Sequence, residues 1–421
     1  MIEYLKTYRL LIGSLFFGII LWCIYYLILP VSITQPLTLK TITFVLLCYL
    51  MLFLGFAIKM NPKINFKKEI NKKPIYNVLL VIIIISYFLR WYELFVLRDL
   101  SFLNYPKDNR ILNDFNLAKT NYLFNIASVL KSLYFFPLII VISSELRKSK
   151  IRLFFAYLLM FFPIIESILK GTRKPFFEIF LILIISYLLF NTFKITFKKI
   201  LIGFTGLVVL LIISANILYL RESKNVTSSD VYYDKILNAR YNDLLPLQDN
   251  IKSFFFNKKV PEPIKAFVFI NMQTGQYILH GLFEFNHIND TPLPITYGSY
   301  TFNVPVKILS KMRILSNIEI TNPSPREYVY LTAFGGLFID FRWLSLLFFL
   351  LFGSVQKYFF LLSEKSFIFK PILIYILIIN VHLPIINYLK GSGIYPFLAF
   401  AFLLATLIIR DKILNEKSFS T

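Results

Sequence analysis

The chain has 421 residues, of which 57% are hydrophobic and 18% aromatic, and it carries a formal net charge of +22. A soluble protein of this size needs far more polar surface, so this composition excludes an ordinary soluble enzyme and indicates that much of the surface faces lipid. The apolar residues form long continuous runs rather than ten-residue alternations, which excludes an outer-membrane barrel and favours a helical bundle.

Ten apolar stretches are long enough to cross a membrane, because a helix needs about 20 such residues to span the hydrocarbon core. They fall at residues 10–29, 38–58, 76–96, 122–143, 153–169, 176–193, 200–220, 329–352, 371–389 and 394–410. The sequence therefore predicts an all-α polytopic membrane protein with a bundle of about ten transmembrane helices.

The positive charge is concentrated in short connections between these stretches. The connection at 59–74 alone contains six lysines and one glutamate, which marks it as cytoplasmic. Alternating the chain from that point places both termini in the cytoplasm. The net charge therefore reports topology and contact with membrane lipids, and it does not indicate a nucleic-acid partner.

The two cysteines, Cys23 and Cys48, both lie inside predicted spans. They form neither a disulfide framework nor a metal-ligand pattern. The first span has no small-residue cleavage site, so we expect it to be a retained helix rather than a signal peptide.

The layout comprises a membrane bundle at 1–220, a large hydrophilic section at 221–328, and a second group of spans with a tail at 329–421. The topology places the hydrophilic section outside the cytoplasmic membrane. It contains twelve Lys or Arg and ten Asp or Glu residues, and a loop of this length is usually functional or disordered. Its many aromatic and aliphatic residues argue against disorder. Within it, residues 264–283 are apolar but interrupted by polar residues, which predicts a surface or re-entrant helix.

The connection between the fifth and sixth stretches, "IESILKGTRKPFFEI" (165–179), contains Lys170, Arg173 and Lys174. The topology places it on the outer face, where such charge opposes the positive-inside bias. Arginine and lysine beside a helix N-terminus suit a phosphate or pyrophosphate. The alternative is that these basic side chains anchor the helix ends at the membrane surface or form internal salt bridges. Further charges occur at membrane depth nearby: Arg90, Glu93, Lys131, Glu166 and Glu178.

Four segments, together with the layout, carry a family resemblance. "KGTRKPF" (170–176) resembles the Gly-Ser/Thr-Arg turn of Wzy-type oligosaccharide repeat-unit polymerases, and "LYLRES" (218–223) resembles the arginine-bearing start of their large periplasmic loop. "YGSYTFNVPVKIL" (297–309) resembles the aromatic segment late in that loop, and "REYVYLTAFGGLFIDF" (326–341) the helix that follows. The family usually continues the final Asp-Phe pair with glycine, where this chain has Arg342.

The resemblance implies a glycosyltransferase with a GT-C-like membrane bundle in the bacterial inner membrane. It would transfer a growing O-antigen or capsule glycan from undecaprenyl pyrophosphate to a lipid-linked repeat unit at the periplasmic face, alongside a possible chain-length regulator protein. Cations would bind the pyrophosphate, for which the candidates are Arg173, Arg221, Lys170, Lys174 and Arg326. Tyr297 and Tyr300 are candidates for stacking on sugar rings. Without an acidic pair or His/Asp cluster on the outer face, we expect no metal and no cofactor.

The acceptor hydroxyl needs a general base within hydrogen-bond reach. The segment "ILHGLFEFNHIND" (278–290) offers His280, Glu284 and His287. Glu327 is an alternative near the eighth stretch, as is Asp340. A histidine on an apolar stretch is more often a structural hydrogen bonder, so the base stays open among these residues.

Two other activities remain compatible with the sequence. An O-antigen ligase would use the same donor with a different acceptor. A transporter of lipid-linked oligosaccharide usually has related halves and broken helices at mid-membrane, neither of which is evident in the sequence.

Overall fold

The computed structural model describes residues 8–62, 71–115, 122–190, 240–291, 293–315, 326 and 329–417, with isolated positions between 196 and 213. Over these residues the chain forms helices and connecting loops, and the one β-bridge joins Val31 and Leu247. Seven described helical segments are long and apolar enough to cross a membrane. The described part of the chain therefore has the features of a helical membrane protein. The seventh predicted span, 200–220, lies largely outside the described residues.

Fifteen helices occur in the described part of the chain. They are α1 (Arg9–Ile28), α2 (Leu39–Ala57), α3 (Lys72–Tyr92), α4 (Pro106–Phe115), α5 (Tyr122–Leu130), α6 (Phe136–Ile142), α7 (Lys150–Lys170), α8 (Lys174–Phe190), α9 (Asp249–Phe256), α10 (Glu262–Asn289), α11 (Asn303–Lys311), α12 (Ala333–Phe341), α13 (Ser345–Lys365), α14 (Lys370–His382) and α15 (Tyr395–Lys417). A π-turn, Glu93–Leu97, extends α3, and a 3₁₀ turn, Lys131–Leu133, follows α5.

The chain divides into two compact units. The first unit contains residues 1–58, 194–355 and 377–391, and the second contains 59–193, 356–376 and 392–421. In the first unit, α10 packs against α1, α2 and α12. In the second, α3 packs against α5 and α7, and α15 also contacts α5.

Helix α10 contains the predicted helix at 264–283 and extends beyond both of its ends. It is continuous over 28 residues, and its second half, from Ile278 to Asn289, is almost entirely buried. This half of α10 therefore packs inside the first unit, where the helix contacts α1, α2 and α12. Its surface or re-entrant placement in the bilayer stays a prediction.

The predicted span at 329–352 corresponds to one candidate membrane segment, Ala333–Lys365, but this segment is not one continuous α-helix. Helix α12 ends at Phe341, and α13 begins only at Ser345. Arg342 between them has φ 52° and ψ −134°, a backbone conformation that glycine adopts readily and other residues adopt with strain. The resembled family has glycine at this position. In this chain the backbone bends sharply at Arg342, and α12 ends there.

The predicted span at 371–389 is shorter as a helix than expected, because α14 has 13 residues. Helix α8 covers the predicted span at 176–193 as far as Phe190, where the described stretch ends. Helix α14 ends at His382, and Pro384 follows within a series of turns. Proline disfavours helical backbone in the residue before it, which accounts for the early end.

Close packing of α2 against α13 depends on glycine. A Cβ atom added to Gly353 would collide with the backbone carbonyl of Leu52, and one added to Gly55 would collide with the backbone carbonyl of Leu350. Small residues let membrane helices approach to this distance. The contact is therefore between backbones, and neither helix can yield by rotating a side chain.

We expect Gly353→Val to reduce the yield of folded protein and to lower its thermal midpoint in detergent by several degrees, because the new side chain must push α13 away from α2. Gly13→Val is the matched control, since a Cβ atom there meets nothing within 4 Å. Equal midpoints for the two variants would contradict the close helix contact.

Candidate functional site

A buried ionic cluster surrounds Glu166 in the second unit. Glu166 lies one turn before the end of α7, and the Lys131 ammonium lies 2.5 Å from its Oε1 atom. The Lys170 ammonium is 3.7 Å, and Arg90 Nε 3.8 Å, from its Oε2 atom. Three cations therefore share one carboxylate. Lys170 follows Glu166 by one helical turn, which places the two side chains on the same face of α7. Lys131 lies in the 3₁₀ turn that follows α5, within the fourth apolar stretch.

Glu93 at the end of α3 is the second carboxylate of the cluster. It pairs with Arg90, three residues earlier. Arg98 Nε also donates to it at 3.0 Å. Arg98 in turn donates to the Asn113 side chain at 2.8 Å, so the cluster is tied to α4. The π-turn at the end of α3 brings Glu93 and Arg98 close enough to bond.

Among the described residues, the cluster contains more basic than acidic side chains. Four cations (Arg90, Arg98, Lys131 and Lys170) surround two carboxylates, and none of these six side chains is more than 19% exposed. Arg90 Nε is fully buried and makes no hydrogen bond in the described structure. Charge buried away from water is costly unless it is neutralised. Arg90 is therefore the member of the cluster with a donor still available for an anion.

The turn that follows α7 contains the other predicted cations. Gly171 ends the helix with φ 61°, and the Ser167 hydroxyl and Thr172 bond across the turn. Arg173 is partly exposed and Lys174 is exposed at the start of α8, and both make further electrostatic contacts. Of the three predicted cations in this loop, Lys170 is thus part of the buried cluster around Glu166.

Glu284 on α10 is a fully buried acid of the first unit. The residue is 0% exposed, and its Oε2 atom accepts a hydrogen bond from Arg326 at 2.7 Å. Its Oε1 atom is buried without a hydrogen-bond partner among the described residues. Burial raises the pKa of this carboxyl, while Arg326 acts in the opposite direction. A buried carboxylate oxygen with no partner is rare and calls for a ligand or a proton donor.

The neighbouring hydrogen bonds hold Glu284 in place. Asn286 accepts a hydrogen bond from the backbone of Thr38 at 2.8 Å, and Asn289 donates to Thr41 at 3.1 Å. These bonds fix the end of α10 to the start of α2. Arg326 also lies 3.5 Å from Asp243, so two acidic side chains orient its guanidinium group.

His280 is occupied on both ring nitrogens. Its Nδ1 atom lies 3.0 Å from the carbonyl of Gln276, and its Nε2 atom accepts a hydrogen bond from the backbone of Tyr330 at 3.3 Å. Burial lowers the pKa of His280 to about 4, which keeps the ring neutral. The arrangement is that of a structural histidine joining α10 to the segment before α12. His287 is partly exposed and lies 3.3 Å from Gln35.

The remaining predicted residues have varied placements. Asp340 is fully buried, and it accepts hydrogen bonds from Thr296 and from the backbones of Tyr300 and Thr301 at 2.6–3.0 Å. It therefore fixes the turn at 296–301. Tyr297 is 79% exposed and Tyr300 is 3% exposed, so only the former presents an open ring face. Arg221 and Glu327 lie outside the described residues.

No set of three His, Cys, Asp or Glu side chains in the described ranges is placed to hold a metal ion. Comparison with known proteins finds no matching protein-family model, curated protein or solved structure. The fold thus indicates a helical membrane protein with several helices long enough to span a membrane. The charged side chains around Glu166 and around Glu284 are the features from which a function can be proposed.

Proposed function

We propose that this protein is a metal-independent glycosyltransferase of the Wzy type. It transfers a growing glycan from undecaprenyl pyrophosphate to a lipid-linked repeat unit. The observation that carries the proposal is the buried excess of cations around Glu166 and Glu93. Among the described residues, four cations face two carboxylates there, and a pyrophosphate would add negative charge to the cluster.

The leaving group explains why the cluster contains arginine as well as lysine. When the glycosidic bond breaks, negative charge develops on the pyrophosphate oxygen. Donors already oriented toward that oxygen stabilise the transition state more than the ground state. Arginine binds phosphate oxygens through paired hydrogen bonds, whereas lysine acts as a point charge. Arg90 is the first choice, with Lys131 and Lys170 beside it and Arg173 and Lys174 at the adjoining turn.

In the first unit, Glu284 is the preferred candidate for the general base. The acceptor hydroxyl oxygen attacks the anomeric carbon, the bond from that carbon to the pyrophosphate oxygen breaks, and the hydroxyl proton moves to the general base. The pyrophosphate leaves as the anion. Glu284 is preferred to His280, because both nitrogens of His280 are already bonded. Arg326 then orients the base instead of binding the pyrophosphate.

The topology of the proposed enzyme follows the charge distribution in the sequence. Ten spans in a GT-C-like bundle, both termini in the cytoplasm and residues 221–328 in the periplasm would bring the cationic cluster to the outer bilayer surface. The bacterial inner membrane is the location that supplies the polyprenyl donor. A chain-length regulator is the protein partner that such a polymerase would have.

The proposal is tested by the surface polysaccharide of a strain that lacks the gene. A polymerase defect leaves single repeat units attached to the lipid A core, and re-expression of the full chain restores the ladder of longer chains. Absence of any attached unit would favour an O-antigen ligase, and substrate trapped in the cytoplasm would favour a transporter. Either of these outcomes overturns the polymerase assignment.

A further inference from the structure

The Lys-Gly-Ser/Thr sequence of the cationic turn occurs a second time in the chain. "LKGTRKPF" (169–176) has its counterpart in "LKGSGIYPF" (389–397). Both glycines have left-handed backbone, with φ 61° at Gly171 and 65° at Gly391. In each case a Pro-Phe pair follows at the start of a helix. The chain therefore forms the same kind of lysine-bearing turn at two places.

Lys390 is a cation without a matching acid. Its ammonium lies over the ring of Tyr300, 3.3 Å from the ring centre, and the residue is partly buried. No ion pair or hydrogen bond of this ammonium occurs within the described residues. Asp340, the carboxylate that acts on it electrostatically, already accepts hydrogen bonds from the turn at 296–301. Burial lowers the pKa of Lys390 to about 8, so the side chain is mostly charged at neutral pH.

The turn that carries Lys390 is held rigidly. The Asn387 side chain donates to the Thr301 hydroxyl at 2.9 Å and accepts from the backbone of Leu389. The backbone of Gly391 donates to Asn303 at 3.1 Å. Asn387 is also bonded through its backbone to Leu331 at 2.7 Å. A lysine on a fixed turn loses little entropy when it binds an anion.

We propose that Lys390, on its fixed turn over Tyr300, is the cation of a second binding site for a lipid pyrophosphate headgroup. The inference rests on the proposed function, in which both the donor and the acceptor are attached to such a headgroup. One reaction then requires two pyrophosphate sites. The cluster around Glu166 provides one in the second unit, and Lys390 provides the other in the first unit.

The test counts undecaprenyl pyrophosphate molecules bound to the full chain in nanodiscs, by native mass spectrometry during a titration. We expect two molecules on the unaltered protein and one on Lys390→Met, with affinity at that site reduced at least about tenfold. Lys390→Arg keeps the charge and should still bind two. Lys259→Met is the matched control, because Lys259 is an exposed lysine of the same unit.

The outcomes separate this inference from the proposed function. Arg90→Ala should also leave one bound molecule, and the double variant with Lys390→Met none. One molecule on the unaltered protein, lost in Arg90→Ala and kept in Lys390→Met, would overturn the second site and leave the proposed function standing. No binding to the unaltered protein would overturn both. A thermal midpoint for Lys390→Met equal to that of Lys259→Met shows that the variant is folded.

Discussion

Replacing Arg90 by alanine should abolish long polysaccharide chains. The guanidinium group is the member of the cluster with a buried nitrogen that lacks a hydrogen bond, so we expect it to donate to the pyrophosphate. Loss of one donor of this kind reduces turnover about 10²–10³-fold. The measurement is the polymer ladder in a complemented deletion strain, together with the rate of transfer by the purified protein.

Controls separate this effect from loss of folding. Arg110→Ala is the matched variant, because Arg110 is an exposed arginine of the same unit. Glu93 keeps Arg98 as a partner when Arg90 is removed, so the cluster retains part of its pairing. Arg90→Met combined with Glu93→Gln restores the net charge of the cluster. If that double variant regains the polymer ladder, net charge alone matters and direct donation by Arg90 is wrong.

Replacing Glu284 by glutamine should stop transfer while leaving pyrophosphate binding intact. The amide keeps the size of the side chain and can still accept a hydrogen bond from Arg326, but it is a far weaker base than a carboxylate. A general base contributes about 10²–10⁴-fold to the rate. The measurement is kcat of the purified protein beside its affinity for undecaprenyl pyrophosphate. Glu262→Gln is the control, since Glu262 is on the same helix and its side chain is 54% exposed.

The pH dependence gives a second readout for Glu284. Burial raises the pKa of its carboxyl above 4.5. The base form is therefore lost as the pH falls through this raised value, and kcat/KM should decline on the acid side at a higher pH than for an ordinary carboxylate. An unchanged acid limb in Glu284→Gln would assign the base to another residue, and His287 would be the next to test.

The charged cluster around Glu166 was only partly predictable. Arg90, Glu93, Lys131 and Glu166 stand out in the sequence because ionisable residues are rare at membrane depth. Their pairing depends on how three separate helices pack, which hydropathy does not report. Arg98 was missed because it lies at the start of a mixed-charge segment, where one more arginine carries no signal. The π-turn that brings it to Glu93 has no sequence pattern of its own.

The candidate base shows a different limit of sequence reading. His280, Glu284 and His287 are all residue types that can act as a general base, and their spacing places them on one helix. The hydrogen bonds that occupy both nitrogens of His280 come from its own helix and from the chain near Tyr330. A contact between such distant segments cannot be read from spacing. The same holds for Lys390, whose position over Tyr300 joins segments 90 residues apart.

The bend at Arg342 was hidden for another reason. The apolar run across 329–352 has no proline, and hydropathy treats it as one helix. The backbone nevertheless turns at Arg342 with φ 52°. The departure from the glycine of the resembled family was a clue to the special backbone there, but not to the end of a helix. The glycines of α2 and α13 at the close contact were likewise visible, while their partners were not.

The most direct test of the central claim is an experimental density map of the full chain with undecaprenyl pyrophosphate in nanodiscs, determined by cryo-electron microscopy. The account predicts pyrophosphate density within hydrogen-bond distance of Arg90, with Lys131 and Lys170 next to it. A well-defined headgroup away from these side chains, with Arg90 closed onto Glu166 and no density between them, would contradict it.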